Sequence, residues 1–269
     1  MGISKVVVIS DLHCGSAVGL LPPGMDETED TLALAQNKVQ QWLWSCWEDF
    51  TTRWLPGVLD GSDYALVVNG DLIDGMHHGT TQVIPDLVIQ AKIARRILLP
   101  LAMGADQTYV IRGTECHTMQ SETIIGEWLD ARQEPTTKSY AWDNLTLNVK
   151  GCPVSFSHHI TTAAKPWSES AALANHLIAE QFRAHNRGWK TPKVVVRSHR
   201  HVYGSFENGS GMIVVTPSWQ AMTRYAKAVT ADNVSTIGGV VLDFNGDDGD
   251  LPTVHRKLYT PKQAKAEKL

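Results

Sequence analysis

Eleven histidines are distributed along the 269 residues, and several stand beside acids where β-branched runs end. Asp11 and His13 follow KVVVIS (5–10), Asp71 follows YALVVN (64–69), and Glu115 and His117 follow QTYVIR (107–112). His158 and His159 close a run near 154–157, and His199 and His201 close another near 193–197. Consecutive strand ends converge at one edge of an open α/β sheet, which is where such sheets hold their ligands. Imidazoles mixed with carboxylates suit Zn, Fe, Mn or Co, and three acids with four imidazoles exceed the needs of one ordinary site. Two ions sharing a carboxylate is the simplest arrangement. In Asp11-Leu12-His13 and His199-Arg200-His201, strand alternation is expected to send both outer side chains to one face.

The elements that must position these groups read as a layered α/β domain. KVVVIS is apolar enough to be covered on both faces. A helix is expected over 31–54, with Val39, Leu43, Trp47, Phe50 and Trp54 forming one apolar face while Trp42 and Trp44 fall off it. Helices are also expected near 86–103, 121–132 and 168–185, and strands near 145–149, 154–157, 193–197, 212–216, 239–244 and 252–258. Alternation in the first half followed mainly by strands implies two packed sheets with helices outside. No linker composition interrupts residues 1–259, so one domain is expected there, with a polar tail over 260–269.

Composition narrows the function classes. The chain is 43% apolar and 19% charged, ordinary for a folded protein with a sizeable core. A net charge of -4 disfavours nucleic-acid binding driven by bulk charge, and the acidic stretch Asp26, Glu27, Glu29, Asp30 argues mildly against a nucleic-acid groove there. The four cysteines show no Cys-x-x-Cys spacing, against a structural zinc site or a disulfide scaffold. The opening apolar run is too short for a signal peptide, and the stretch 97–105 carries Pro100 and is too short to span a bilayer. A cytoplasmic protein with no membrane partner is expected.

With its motifs in this order, the sequence resembles the calcineurin-like metallophosphoesterases. The motifs are Asp11-Leu12-His13, Gly70-Asp71-Leu72-Ile73-Asp74, Gly113-Thr114-Glu115-Cys116-His117, Ser157-His158-His159 and Ser198-His199-Arg200-His201, spanning most of the chain. The resemblance implies a four-layer α/β/β/α sandwich of two mixed sheets flanked by helices. It also implies two divalent transition-metal ions, Mn first, with Fe, Zn, Co or Ni as alternatives. Carried over residue by residue, Asp11, His13, Asp71 and His201 hold one ion, and Asp71, Glu115, His158 and His199 hold the other. The implied reaction is attack of a metal-bridging hydroxide on a phosphate ester, with His117 the candidate acid for the leaving alkoxide.

Two departures from the family pattern stand out. Ser198 replaces its Gly, and the third motif has Gly-Thr-Glu-Cys-His where the family has Gly-Asn-His. Glu115 is expected to replace the Asn ligand, with Thr114 as the competing donor. The forms of the third and last motifs look like those of phage and bacterial members of the family. The extension Asp-Arg-Gly of protein phosphatases is absent after Asp71, since Asp74 is followed by Gly75-Met76. Phosphodiesters are therefore the expected substrates, nucleotides and nucleic acid among them. The alternatives are a nuclease of the DNA-repair kind, a phosphomonoesterase, and a non-catalytic scaffold that keeps the fold. His77, His78 and His159 are candidate phosphate contacts, with an exposed surface role equally open to the first two. Asp74 reads as a support for a ligand imidazole or for the turn, Arg200 as packing, Cys116 as a filler, and Trp219 as either core or a base-stacking platform.

Overall fold

Strand β1 (Lys5–Ile9) is buried at every position, as a run of β-branched residues covered on both faces should be. It lies inside a six-stranded sheet of order β11-β10-β1-β2-β3-β4, pairing in parallel with β2 (Tyr64–Val68) and antiparallel with β10 (Ile237–Asp243). Strands β3 (Gln107–Ile111) and β4 (Ala141–Trp142) continue it on one side, and β11 (Thr253–Tyr259) closes the other. The second sheet has the order β5-β6-β7-β9-β8, built from Leu145–Val149, Cys152–Phe156, Val194–Arg197, Gly211–Val215 and Gly204–Asn208 respectively. This is a computed structural model, and it describes residues 2–24, 35–76, 81–118, 120–160, 168–223 and 234–261.

The period-two alternation of the strands creates the layers. Val7, Ile9, Leu66 and Val68 face a core shared with Leu43, Trp47 and Phe50 and with Ile93, Ile97 and Ile125, which come from helices α1 (Lys38–Asp49), α3 (Leu87–Gly104) and α5 (Ser121–Trp128) and the turn after α1. Their neighbours Val6, Val8, Ala65 and Val67 face the opposite way, into a core with Val154, Phe156, Val194 and Val196 of the second sheet. Val195, Ile213 and Val215 on that sheet's outer face pack on Leu173 and Leu177 of α6 (Glu169–Asn186). The order is helix, sheet, sheet, helix: the four-layer sandwich expected.

The first helix differs from its expected span. It starts at Lys38, where Asn37 accepts from the Val39 and Gln40 amides and Gln40 reaches back in a capping box. It does not stop at Trp54, because a π-helical turn over Phe50–Trp54 leads into α2 (Leu55–Leu59). Residues 31–34 of the expected helix lie outside the described residues. Trp42 and Trp44 rest partly buried against the helical-layer core. Trp219 is fully buried, with ring centroids 4.8 Å from Trp47 and 5.5 Å from Phe50, so it belongs to that core and offers no platform for a base. The edge strand β8 and the two-residue β4 were not expected from the sequence. Among the described residues, no helix is long and apolar enough to cross a membrane.

Candidate metal centre

Strands β1, β2 and β7 end side by side, and the residues that follow them form a polar layer at one edge of the sandwich. Beyond β1, the Asp11 and His13 amides donate to the Gly70 and Asp71 carbonyls at 2.9 and 3.1 Å, lashing the first two motif loops together. Asn69, fully buried, donates to Ser198 Oγ at 2.6 Å, which ties the second loop to the fifth. Ser10 and Ser198 share Thr216 Oγ1, each at 2.7 Å. Gly113 has no space for a Cβ, because Asp71 occupies it. That close approach lets the Thr114 amide donate to Asp71 Oδ1 at 2.6 Å.

The convergence of Asp11 with His13, and of His199 with His201, does not come from strand alternation. Strand β1 ends at Ile9 and β7 at Arg197, before either pair. Asp11, His13, Asp71, His199 and His201 adopt left-handed backbone conformations, with φ between 45° and 70°. Non-glycine residues visit that region seldom, and Asp and His are among those that tolerate it better than most. The expectation of a pleated Asp-x-His is thus corrected: two left-handed residues flanking one other turn both side chains inward.

Three groups of acids and imidazoles result. Asp11, His13 and His201 form one, Asp71, His158 and His199 a second, and His13, Asp74 and His117 a third. In the first, His201 Nε2 lies 3.2 Å from Asp11 Oδ1 and 3.2 Å from His13 Nε2. In the second, His158 Nε2 lies 3.0 Å from Asp71 Oδ2, the atom that also stands 3.8 Å from His13 Nε2. Asp71 therefore sits between the first two groups. His158 Nδ1 donates to the Asn69 carbonyl at 2.7 Å, which fixes the ring so that Nε2 faces the acids.

The electrostatics are those of a site built for cations. Burial alone would raise the Asp11 carboxyl, but His201 and His158 beside it hold it below the ordinary range. Burial opposes ionisation of Asp71 too, and His158 and His13 overcome it, leaving its carboxyl well below the usual value. Burial pushes the His158 imidazole down, yet Asp71 and Asp11 raise it to about 10. His199 goes the other way, to about 4, through burial and repulsion from His158. Both Asp11 oxygens and His158 Nε2 are buried without a hydrogen-bond partner. Native interiors seldom leave such atoms unpaired, and a bound ion is a standard reason when they do. The donor set fits divalent transition metals.

No protein-family model matches the chain, and no curated protein matches it. Among solved structures it is similar to Vps29 complexed with zinc from Entamoeba histolytica, at 12% identity and a TM-score of 0.43 over 94% of this chain and 98% of that one. It is similar to Vps29 from Cryptosporidium parvum at 11% identity, a TM-score of 0.45 and coverage of 96% and 98%. It is also similar to an archaeal phosphodiesterase at 9% identity, a TM-score of 0.44 and coverage of 95% and 99%. At such identities the likeness concerns the course of the chain, and what the site does is read from its own residues.

Glu115 is not brought to the acids. It is exposed and opens the short helix α4 (Glu115–Thr118), while Thr114, one residue earlier, takes the inward position. Thr114 Oγ1 lies 3.2 Å from Asp71 Oδ2 and 3.1 Å from His199 Nδ1. The expectation that Glu115 joins the acids is corrected: Thr114 turns inward instead, because the close approach of Gly113 to Asp71 sets the register of the loop. His117 reaches the site from α4, its ring edge-on to His13 with centroids 4.6 Å apart and its Nδ1 2.6 Å from the Asp74 carbonyl oxygen. Asp74 Oδ1 stands 3.5 Å from His13 Nδ1, which gives it the supporting place expected. His159 is exposed at the rim, 3.5 Å from Thr114 Oγ1, and His77 and His78 lie outside the described residues. Arg200 turns to Glu169 of α6 at 3.1 Å. Gln90 and Glu122 are buried around the third motif with Gln82 half-buried beside them, and none of the three was expected there from the sequence. Helix phase was legible for Gln90 on α3 and Glu122 on α5, but nothing in the spacing marks a buried polar group.

Proposed function

We propose that this chain is a dinuclear metal-dependent phosphoesterase that favours phosphodiesters, nucleotides and nucleic acid among them, and acts in the cytoplasm. The observation that carries the reading is Asp71, a buried carboxylate between two sets of acids and imidazoles in which both Asp11 oxygens and His158 Nε2 are buried without a hydrogen-bond partner. Asp11, His13, Asp71 and His201 would hold one ion, and Asp71, Thr114, His158 and His199 the other, with Mn the first choice. Such ions supply Lewis acidity toward the phosphoryl oxygens and an activated water for in-line attack.

The residues of the chain supply the rest. Because a carbonyl oxygen only accepts, His117 Nδ1 donates to that of Asp74, which leaves Nε2 as the ring nitrogen that would take up a second proton and pass it on. This supports His117 as the group that would protonate the departing alkoxide. His159, exposed beside Thr114, would contact a phosphate oxygen.

The test is metal content joined to a substrate panel. Manganese-loaded protein is expected to hold two ions per chain and to hydrolyse at least one of a set of mono-, di- and cyclic phosphates and DNA. Asp71→Ala should lose both ions and His13→Ala mainly one. A reproducible single ion in active protein overturns the dinuclear reading. A folded two-ion protein inert on every phosphate ester returns the chain to the scaffold alternative.

A further inference from the structure

We propose that Gln90, on helix α3, is a positioning residue for His117 and acts through the peptide group between Asp74 and Gly75. The two ends of that one peptide group are engaged from opposite sides. Its carbonyl, on Asp74, receives His117 Nδ1 at 2.6 Å, and its amide, on Gly75, donates to Gln90 Oε1 at 2.9 Å. The other end of the Gln90 amide is committed too, since Nε2 donates to the Ile84 carbonyl at 2.8 Å. The two bonds fix which end of the amide is oxygen, because the reverse assignment would face N–H to N–H and oxygen to oxygen.

The surroundings are built around this arrangement. Gln90 is completely buried although its side chain is polar, which is unfavourable unless its hydrogen bonds are made. The side chain fills the space where a Cβ on Gly15 would stand, so the first motif loop has a glycine where Gln90 passes. Gly75, at φ 71°, lies against the Cys116 carbonyl and the His117 backbone, with no space for a Cβ of its own. Gln82 Nε2 bonds both the Gly75 carbonyl and Asp74 Oδ2 at 2.7 Å. The Asp74–Gly75 segment is thus held from three sides, and among the described residues Gln90 alone holds the amide of the peptide whose carbonyl receives His117. Donation by that amide polarises its own carbonyl and strengthens it as an acceptor. Orientation of the plane fixes the carbonyl's direction, and the carbonyl fixes the His117 ring with the hydrogen on Nδ1.

Only the kinetic consequence of this inference rests on the proton-donor role proposed for His117, so its primary test avoids activity. Protein labelled with nitrogen-15 at histidine is examined metal-free in alkaline buffer, with the His117 ring signals assigned by their loss in His117→Ala. In wild type the two ring nitrogens should show the well-separated shifts of a single Nδ1–H tautomer. In Gln90→Met, similar in length and without hydrogen bonds, the two shifts should converge as tautomers mix. Gln90→Glu supplies the arm that survives a folding failure. Its carboxyl accepts from the Gly75 amide whether neutral or ionised, which keeps the bond that orients the peptide. It should keep the wild-type tautomer. An unchanged tautomer in folded Gln90→Met, or a mixed one in folded Gln90→Glu, overturns the inference. With manganese present, Gln90→Met should lose about tenfold in kcat/KM on an alkyl phosphodiester, the scale of one weakened hydrogen bond, and little on a p-nitrophenyl ester. A moved tautomer with equal losses on both esters would leave the positioning in place and refute the proton-donor role.

Discussion

Glu122 offers the most direct check on the electrostatics of the third motif. It lies on α5, fully buried, with Oε2 accepting from the Gly113 amide at 2.8 Å. Burial, with the negative charge of Asp71 next, pushes its carboxyl up to about 8 from an ordinary 4.5. Between those values the folded chain keeps a proton that the unfolded chain has released, so stability falls as pH rises. The contribution is complete below the unfolded pKa and gone above about pH 8. At about 1.4 kcal/mol per pH unit the ceiling for this window is about 5 kcal/mol. Relaxation and water entry bring the expected loss nearer ~2–3 kcal/mol. Glu122→Gln keeps the shape and the oxygen that serves Gly113, and it cannot ionise. Denaturant unfolding of metal-free protein at several pH values should therefore show the wild type losing that amount relative to the variant, with the two alike in acid. Manganese should flatten the difference, since cations beside Asp71 favour the ionised form of Glu122. Parallel stability curves in the metal-free proteins would mean that the carboxyl is already ionised when folded, and the account of the buried site would fail.

The remaining predictions concern the third motif itself. Thr114→Val, which removes Oγ1 at nearly constant volume, should weaken one ion by about tenfold, within the range seen when groups supporting a metal ligand are removed, while Glu115→Gln leaves both affinities unchanged. Metal titration reads both, and the opposite pattern would return the ligand position to Glu115. His117→Ala should lose much of the ~10²–10⁴-fold typical of general acid catalysis on an alkyl phosphodiester and far less on a p-nitrophenyl ester, at unchanged metal stoichiometry. Equal losses would make His117 a positioning group, and a lost ion would make it a ligand.

The layers were legible because their cause is local. Alternation in VVVI and YALVV decides which side chains enter which core, and runs such as KVVVIS can sit only in a sheet covered on both faces. Residues at the ends of those runs were legible as a cluster for the same reason, since parallel strands align their ends. The third motif was not. Whether Thr114 or Glu115 turns inward depends on how closely Gly113 approaches Asp71, a contact 42 positions apart that no local spacing encodes. The buried amides were hidden likewise: Gln90 occupies an apolar-face position of α3, and only its partners on two loops explain a polar residue there.

The left-handed residues show why residues that converge could be picked out with the wrong local geometry expected for them. Among the described residues nine that are not glycine have positive φ, and five of them are Asp11, His13, Asp71, His199 and His201. Each such conformation stores on the order of 1 kcal/mol, so it persists only where the surroundings over-determine it. Here they do: the Asp11 carbonyl accepts from the Trp219 amide at 3.0 Å, the His201 carbonyl from Thr236 at 2.7 Å, and the Leu12 carbonyl from Leu20 at 3.0 Å. A pleated Asp-Leu-His would have continued β1 past the sheet edge and carried its side chains along the strand. The left-handed turns stop the strand and fold the donor atoms back over its end, where Asp71 can lie between both sets. Asp and His are tolerated there, whereas a β-branched residue would be strained at the same φ. The residue types that suit metal ligation are thus also among those the backbone permits at these five positions, which is why composition at the strand ends pointed to their convergence although the pleat did not.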